Sequence, residues 1–545
     1  MILSLLNNKT NNIPDNRTML QDIIEKIKAG SQRDHNILLL MIIATGFALR
    51  FYSLYAGEGY REFAVGDELH AYGVALGLYT GAETSWHIGQ PTFSGGQAPG
   101  PLWTLFWLAT YQLGGSSIDG AMFIMLLLNT FVIYLVYKLA TIFVGRDYAL
   151  LTALLYATGP WPVYYSTGVW NPVPMAFFGA ILFLSLWDIT QRDNSRSIFI
   201  VCLIAAITPQ FHMISVFYYP AILLILYLSP AKLNKKWFMA GVIAGICVYL
   251  PYFIGEMNND WENTRAIFGE SLPMSFGVAK IISTPIGVLS NQIGRWTDYG
   301  FSGYREYGDG YFGSYMILLA INVFSLLISL IIIGSFLRRL FRSLQGNWLS
   351  PKSAFLNHPD VMFLGILLIL PSLLFLLTGH NYGSRYSIIT FPLLFILPAA
   401  FLKYLHTKKY TVFFRSAISL MVVINIYLII SFNHHQGELI ENGNVFVPSF
   451  RKMEAARQEI RKYADPELLV RLDPSEYIKD QPEYMLLGGS FLSTYMSITE
   501  SFVTHAEQPT GSVTYFIEPA TDPKTANETI IYQSNGLAVV DREKK

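Results

Sequence analysis

The feature that most restricts this chain is a series of eleven apolar runs, at residues 36–56, 121–143, 148–166, 172–190, 198–211, 213–229, 237–255, 313–337, 361–378, 386–402 and 416–432. Most approach the roughly 20 residues that an α-helix needs to cross the hydrocarbon of a bilayer. Backbone N–H and C=O groups in hydrocarbon must find partners within the protein, so the runs are read as helices and the chain as an all-α polytopic membrane protein. The fifth and sixth runs are short, and the Thr208-Pro209-Gln210 break predicts two helices meeting at a turn. Only 14% of the 545 residues are charged, against roughly 25% in soluble domains, which argues against a soluble enzyme. The chain has 38 Lys plus Arg and 38 Asp plus Glu, so no excess of positive charge is there to hold a nucleic acid. The two cysteines, Cys202 and Cys247, sit in apolar runs and read as buried small hydrophobes.

Basic residues orient the spans. They collect in the N-terminal segment (Lys9, Arg17, Lys26, Lys28, Arg33), then at Arg146, Arg192 and Arg196, Lys232 to Lys236, Arg338 to Arg342, and Lys403 to Arg415. All fall on one side if 36–56 and 121–143 are consecutive spans, and the positive-inside rule makes that side the cytoplasm. The Trp-bearing segment Pro101–Leu113 decides the parity. It is too short to span and reads as an interfacial or re-entrant helix. The expected architecture is about eleven spans, with the amino terminus inside and the carboxyl terminus outside.

Three regions follow. Residues 1–35 are a cytoplasmic segment in which Met19, Leu20, Ile23, Ile24 and Ile27 predict an amphipathic surface helix. Residues 36–432 are the membrane domain, with outer loops at 57–120 and 256–312. Residues 433–545 change in composition. A helix over Arg451–Tyr463 and strands over Leu468–Leu472, Val513–Ile517, Ile530–Tyr532 and Leu537–Val540 predict an extracytoplasmic α/β domain.

The first outer loop holds Asp67-Glu68 just ahead of the helically spaced Leu69, Tyr72, Leu76 and Tyr79. Asp at a helix start caps it, and a capping carboxylate held rigidly is equally suited to act as a base. Gly95, Gly96, Pro99, Gly100 and Pro101 make either a plain turn or a close backbone approach to a ligand. Polar residues mark the outer ends of spans: Gln210 and His212 between the fifth and sixth, and His380, Asn381, Tyr382, Arg385 and Tyr386 between the ninth and tenth. Ionisable groups at membrane depth are costly and mark functional sites, and Arg385 opens a span on the outer side, against the positive-inside trend. His212 reads equally as a satisfied structural histidine. Charged residues of 256–312, among them Glu256, Asp260 and Arg265, read mostly as solvated surface, and His434-His435 resembles a metal pair only superficially.

A carboxylate, a cation and a glycine-rich turn beside hydrocarbon suit one reaction: attack of an acceptor hydroxyl on the anomeric carbon of a sugar carried by a lipid phosphate. The phosphate leaves as an anion and needs no general acid, so one carboxylate suffices as base, unlike the two of glycoside hydrolysis. A cation stabilises the departing phosphate.

With these marks the chain resembles the GT-C glycosyltransferases, in the branch containing protein O-mannosyltransferases and lipid A aminoarabinose transferases. The resemblance runs over most of 36–432. It rests on Asp67-Glu68 after the first span, the Ala98-Pro99-Gly100-Pro101-Leu102 turn, and the run Ala149–Ser166 with Gly159-Pro160 and Tyr164-Tyr165-Ser166. Gln210-Phe211-His212 before Pro220, and Arg385-Tyr386 before Pro392, complete it. The family's Asp-Glu-x-x-Tyr has its tyrosine one place late here, at Tyr72, and its Pro-Pro-Leu is Pro99-Gly100-Pro101-Leu102. The resemblance implies a GT-C fold. It implies Asp67 as base or metal ligand with Glu68 in support, and Arg385 facing the lipid phosphate with His212, Tyr386 and His380 nearby. Gln97, Gln210 and Arg265 are candidates for the acceptor side and its loops. A divalent metal stays open. The implied partners are a polyprenyl-phosphate sugar and a glycan, lipid or protein acceptor, at the cell inner (plasma) membrane.

A transporter is the main alternative from another class, but such chains often pair repeated halves with an even span count. A lipid-linked glycan ligase or polymerase is closer. Topology is directly testable: in a Gram-negative host, alkaline phosphatase fused after residue 545 should be active, and fused after Arg342 inactive. The reverse pattern would invert the orientation.

Overall fold

The computed structural model describes residues 32–55, 67–80, 87–89, 96–192, 194–269, 278–289, 315–345, 350–376, 384–405, 410–441, 462, 468–474, 511–519, 529–534 and 537–541. Its helices are α1 (Gln32–Tyr55), α2 (Asp67–Thr80), α3 (Leu102–Leu113), α4 (Ile118–Val144), α5 (Arg146–Thr158), α6 (Pro160–Tyr164), α7 (Met175–Arg192), α8 (Ile198–Phe211) and α9 (Tyr219–Leu228). They continue as α10 (Lys235–Asn258), α11 (Glu262–Gly269), α12 (Val278–Leu289), α13 (Tyr315–Gln345), α14 (Pro351–Asn357), α15 (Pro359–Leu376), α16 (Phe391–Leu394), α17 (Ile396–Leu405) and α18 (Thr411–Glu441). Single turns of 3₁₀ helix cover Ser195–Ser197, and longer ones Met213–Tyr218 and Ser384–Thr390.

Each of the eleven predicted spans falls on helix in its described residues. Among the described residues six helices are long and apolar enough to cross a membrane, or seven if α14 and α15, bent by 120°, form one broken span. The predicted spans at 148–166, 172–190, 198–211 and 213–229 are also helical, as α5–α6, α7, α8 and the 3₁₀ turn leading into α9. The run 148–166 is not one helix. Gly159 is extended (ψ 124°) and Pro160 and Pro162 follow, so the ladder breaks between α5 and α6. The chain is a multi-pass membrane protein.

Helix α4 is central, packing against α1, α3, α5 and α7. Met125, Leu126, Val132, Ile133 and Val136 along it are fully enclosed. Ser117 caps its start by accepting from the Gly120 N–H. The Pro101–Leu113 segment is a helix as expected, but its two tryptophans do not lie at a surface. Trp103 and Trp107 are fully buried, against Phe211 and Tyr72 respectively.

Helix α10 shows how membrane helices come close without a hydrophobic drive between them. Gly241 and Gly245, four residues apart, face α8, and a Cβ at Gly241 would lie 2.8 Å from Cys202 Cβ and 3.1 Å from Phe199 Cα. The opposite face of α10 points outward: Ile243, Ile246, Leu250, Ile254 and Met257 are exposed, the pattern of a lipid-facing surface, while Tyr252 and Glu256 are buried. Cys247 shares that exposure, so the expectation of a buried thiol fails there, while Cys202 is half-buried. Periodicity cannot separate a face turned to protein from one turned to lipid when both are apolar.

The four expected strands are present: β1 (Leu468–Pro474), β2 (Gly511–Pro519), β3 (Thr529–Ser534) and β4 (Leu537–Asp541). They form one sheet in the order β1-β2-β4-β3. The β1–β2 pair is parallel and the other two are antiparallel, with an irregularity between Ile530 and Tyr532. The expected amphipathic helices at 18–29 and 451–463 lie outside the described residues, apart from Lys462.

Overpacking the α8–α10 contact should be costly. Gly241→Leu is expected to lower stability by about 1–3 kcal/mol, read as a lower apparent melting temperature in detergent. Gly334→Ala, where a Cβ meets nothing within 4 Å, should leave it unchanged or slightly higher.

Candidate active site

Three interruptions of the helical ladder meet at one end of the bundle. The first follows α5. Pro160 and Pro162 have no N–H to offer the carbonyls of the last turn. Arg50 of α1 reaches across instead: its Nη1 donates to the Ala157 carbonyl at 3.1 Å and to the Gly46 carbonyl at 3.0 Å. The guanidinium is fully buried, and its position at a helix C-terminus suits a cation. Past the break the rings stack. Trp161 lies on Tyr165 (centroids 5.6 Å, 20°) and Tyr165 on Trp170 (6.1 Å, 30°).

The second interruption is the predicted turn after Pro209. His212 is extended, and its Nδ1 accepts the Ile214 N–H at 3.3 Å. That bond leaves the proton of the neutral ring on Nε2. Asn171 Nδ2 donates to the Phe211 carbonyl at 2.8 Å. Gln210 is fully buried; its Nε2 donates to the Val248 carbonyl (3.1 Å), and its Oε1 accepts the Leu102 N–H (3.3 Å).

The third is the 3₁₀ turn at Ser384–Thr390, which carries Arg385 and Tyr386. Arg385 is half-buried, and its Nη2 donates to the Tyr386 hydroxyl at 3.2 Å. The guanidinium carbon lies 5.0 Å from the Tyr386 ring centroid and 5.8 Å from that of Trp170. The Tyr386 ring meets His212 edge-on at 5.5 Å. Three predicted site residues, His212, Arg385 and Tyr386, are thus brought together. His212 lies between the two helical segments, where burial and then the Arg385 charge push its imidazole down to about 3. It stays neutral at physiological pH.

The glycine-rich loop makes a close approach, to protein. Gly100 has φ +130°, and a Cβ there would lie 2.2 Å from Gln210 Oε1. Gln97 pairs with the second outer loop: its N–H donates to Asn263 Oδ1 (2.6 Å), and Asn263 Nδ2 returns a bond to the Gln97 carbonyl (3.0 Å). Arg265, two residues on, is exposed and donates within its own loop to the Asp260 carbonyl at 2.5 Å. Glu256 corrects the expectation of a solvated charge. It is buried and accepts the Thr264 N–H at 2.7 Å, so its carboxylate caps the first turn of α11.

Asp67 and Glu68 are the first two residues of α2, as the spacing predicts, and the description there is of the main chain. His380, Asn381 and Tyr382 lie outside the described residues, as do Gly95 and the side chains of His434 and His435. Among the described residues no group of three or more His, Cys, Asp or Glu is placed to hold a metal ion. Arg50, Trp170, Asn171 and Asn263 are the participants that sequence reasoning missed. Trp170-Asn171 follows Tyr164-Tyr165-Ser166 by four residues, and the helix-breaking Pro172 behind it was the available signal.

Comparison with known proteins bears on the fold. Residues 97–254 match the family described as dolichyl-phosphate-mannose-protein mannosyltransferase. No curated protein sequence matches the chain. Among solved structures, ArnT from Cupriavidus metallidurans bound to undecaprenyl phosphate aligns with TM-score 0.51 and 12% identity, covering 92% of this chain and 97% of that one. The oligosaccharyltransferase of Archaeoglobus fulgidus in its apo form aligns with TM-score 0.45 and 12% identity, covering 90% of this chain and 70% of that one. The chain has the GT-C fold of membrane glycosyltransferases.

The His212 shift carries a pH signature. Its folded value is below the unfolded value, so its contribution to stability is fully present above about 6.5 and is lost as pH falls toward about 3. His212→Asn retains an acceptor for the Ile214 N–H without a group that titrates there. Its apparent melting temperature should fall less than the wild type's between pH 6.5 and pH 4.5; equal slopes would contradict a buried neutral imidazole.

Proposed function

We propose that this chain transfers a sugar from a polyprenyl-phosphate donor to a hydroxyl of a glycan, lipid or protein acceptor on the outer face of the cell inner (plasma) membrane. The observation that carries the reading is the Arg385 guanidinium held between aromatic rings beside the neutral His212, within a GT-C fold. The ArnT structure of similar fold is bound to undecaprenyl phosphate, and the same ligand chemistry suits a cation at the membrane end of a helical bundle.

In this reading Arg385 meets the donor phosphate, with Tyr386 fixing the guanidinium and His380 as a further phosphate ligand. His212 stays uncharged and adds no competing cation. Asp67, at the start of α2, accepts the acceptor's hydroxyl proton, and Glu68 supports it. The acceptor oxygen attacks the anomeric carbon as the bond to the phosphate oxygen breaks, so a single displacement inverts that carbon. Polyprenyl phosphate leaves as an anion, stabilised by Arg385. Gln97, Gln210 and Arg265 belong to the loops that border acceptor entry. A divalent ion, if used, would take Asp67 and Glu68 as ligands and add positive charge near the leaving phosphate; no step above is routed through it.

Asp67→Asn keeps the helix start but removes the base. Transfer from a polyprenyl-phosphate sugar should fall by about 10²–10⁴-fold, while undecaprenyl phosphate still binds. Transfer at the wild-type rate would remove Asp67 from the mechanism.

A further inference from the structure

We propose that Trp170 is a positioning residue for the donor phosphate, holding the Arg385 guanidinium by its ring face so that the cation is aimed before the lipid arrives. The inference rests on the reading of Arg385 as the phosphate-facing cation and adds a residue to it.

Three observations carry it. The Arg385 guanidinium carbon lies 5.8 Å from the Trp170 centroid, within cation–π range. Trp170 is itself immobilised. Tyr165 stacks on it and Trp161 on Tyr165, and the adjoining Asn171 is tied to the Phe211 carbonyl. This column ends at the α5 break, which Arg50 caps at Ala157. Finally, Tyr386 takes an N–H of the same guanidinium at 3.2 Å while its ring lies 5.0 Å away, and Phe375 packs on that ring at 5.1 Å.

The chemistry explains why an indole suits this place. A carboxylate would orient an arginine too, but it would consume N–H donors and cancel the charge. A ring face attracts the cation through its quadrupole and uses no N–H, so this contact itself takes no donor that a phosphate oxygen could use. Because Trp170 is braced by the stacked column, the arginine's ordering cost is met before binding.

The test is a double-mutant cycle on the full-length protein in detergent. It reads the Kd for undecaprenyl phosphate together with kcat and KM for the sugar donor. Trp170→Leu should raise Kd by about 3- to 30-fold, the range of a cation–π contact between exposed and desolvated sites. KM should rise with it and kcat should stay within about twofold, because the lost contact exists in the ground state. Trp170→Phe, which keeps a ring face, should recover most of the affinity. In an Arg385→Ala background Trp170→Leu should add little further loss. Unchanged binding in Trp170→Leu, or an equal loss in both backgrounds, overturns the inference while Arg385 keeps its role. Wild-type binding in Arg385→Ala instead overturns the phosphate reading itself. If Trp170→Leu fails to fold, fluorinated tryptophans placed at 170 alone weaken the ring face at nearly constant shape. Affinity falling with fluorination is then expected, and a flat series overturns the proposal.

Discussion

Hydrocarbon offers no water to a broken helix, and the candidate site is a consequence of that constraint. Each interruption frees main-chain groups that must be paired by protein. The Ala157 carbonyl takes Arg50, the Phe211 carbonyl takes Asn171, and the Ile214 N–H takes the His212 ring. Every repair introduces a polar side chain into an apolar bundle. The site is therefore built where the helices fail, out of the groups that repair them.

Arg50 and Arg385 show two solutions to the same cost. A buried cation needs compensation near it. Arg50 finds it in the Ala157 carbonyl at the end of α5 and the Gly46 carbonyl of its own helix, both part of the fold. Arg385, half-buried, has two ring faces and a phenol around it, contacts that do not themselves neutralise the cation. The first arrangement spends the charge on structure. The second sets it against aromatic rings, with a neutral His212 that adds no competing charge.

What was legible in the sequence follows the same division. Apolar runs showed the helices because length in hydrocarbon is a one-dimensional property, and Pro209 marked the turn at His212 for the same local reason. Arg385 was found because a cation opening an outward span is locally anomalous. Alternation and turn residues likewise located β1 to β4, whose order β1-β2-β4-β3 no local pattern contains. Trp170 stayed hidden, since an aromatic in an apolar chain reads as core or as interface. Glu256 was misread because a loop carboxylate seems solvated until the helix start it caps is in place. Arg50 drew no reading from the sequence, and its partner Ala157 is 107 residues away. Long-range pairing of polar groups has no period, and it is the part that sequence pattern does not carry.

The outer loops are joined to the breaks through one amide. Gln210 stands two residues before His212 and takes the Leu102 N–H from the turn at Gly100. Gly100 is where it is because any side chain would occupy the space of the Gln210 amide. Farther out, Gln97 exchanges bonds with Asn263, and Glu256 anchors the helix that carries Asn263. Moving the first outer loop away would strand the buried Gln210 oxygen, a cost of about 1–3 kcal/mol. That is large enough to favour one loop position by about 5- to 150-fold. The loop that carries Pro99-Gly100-Pro101 is thus fastened to the end of the helix that presents His212, so access to the site and its geometry share a hydrogen bond.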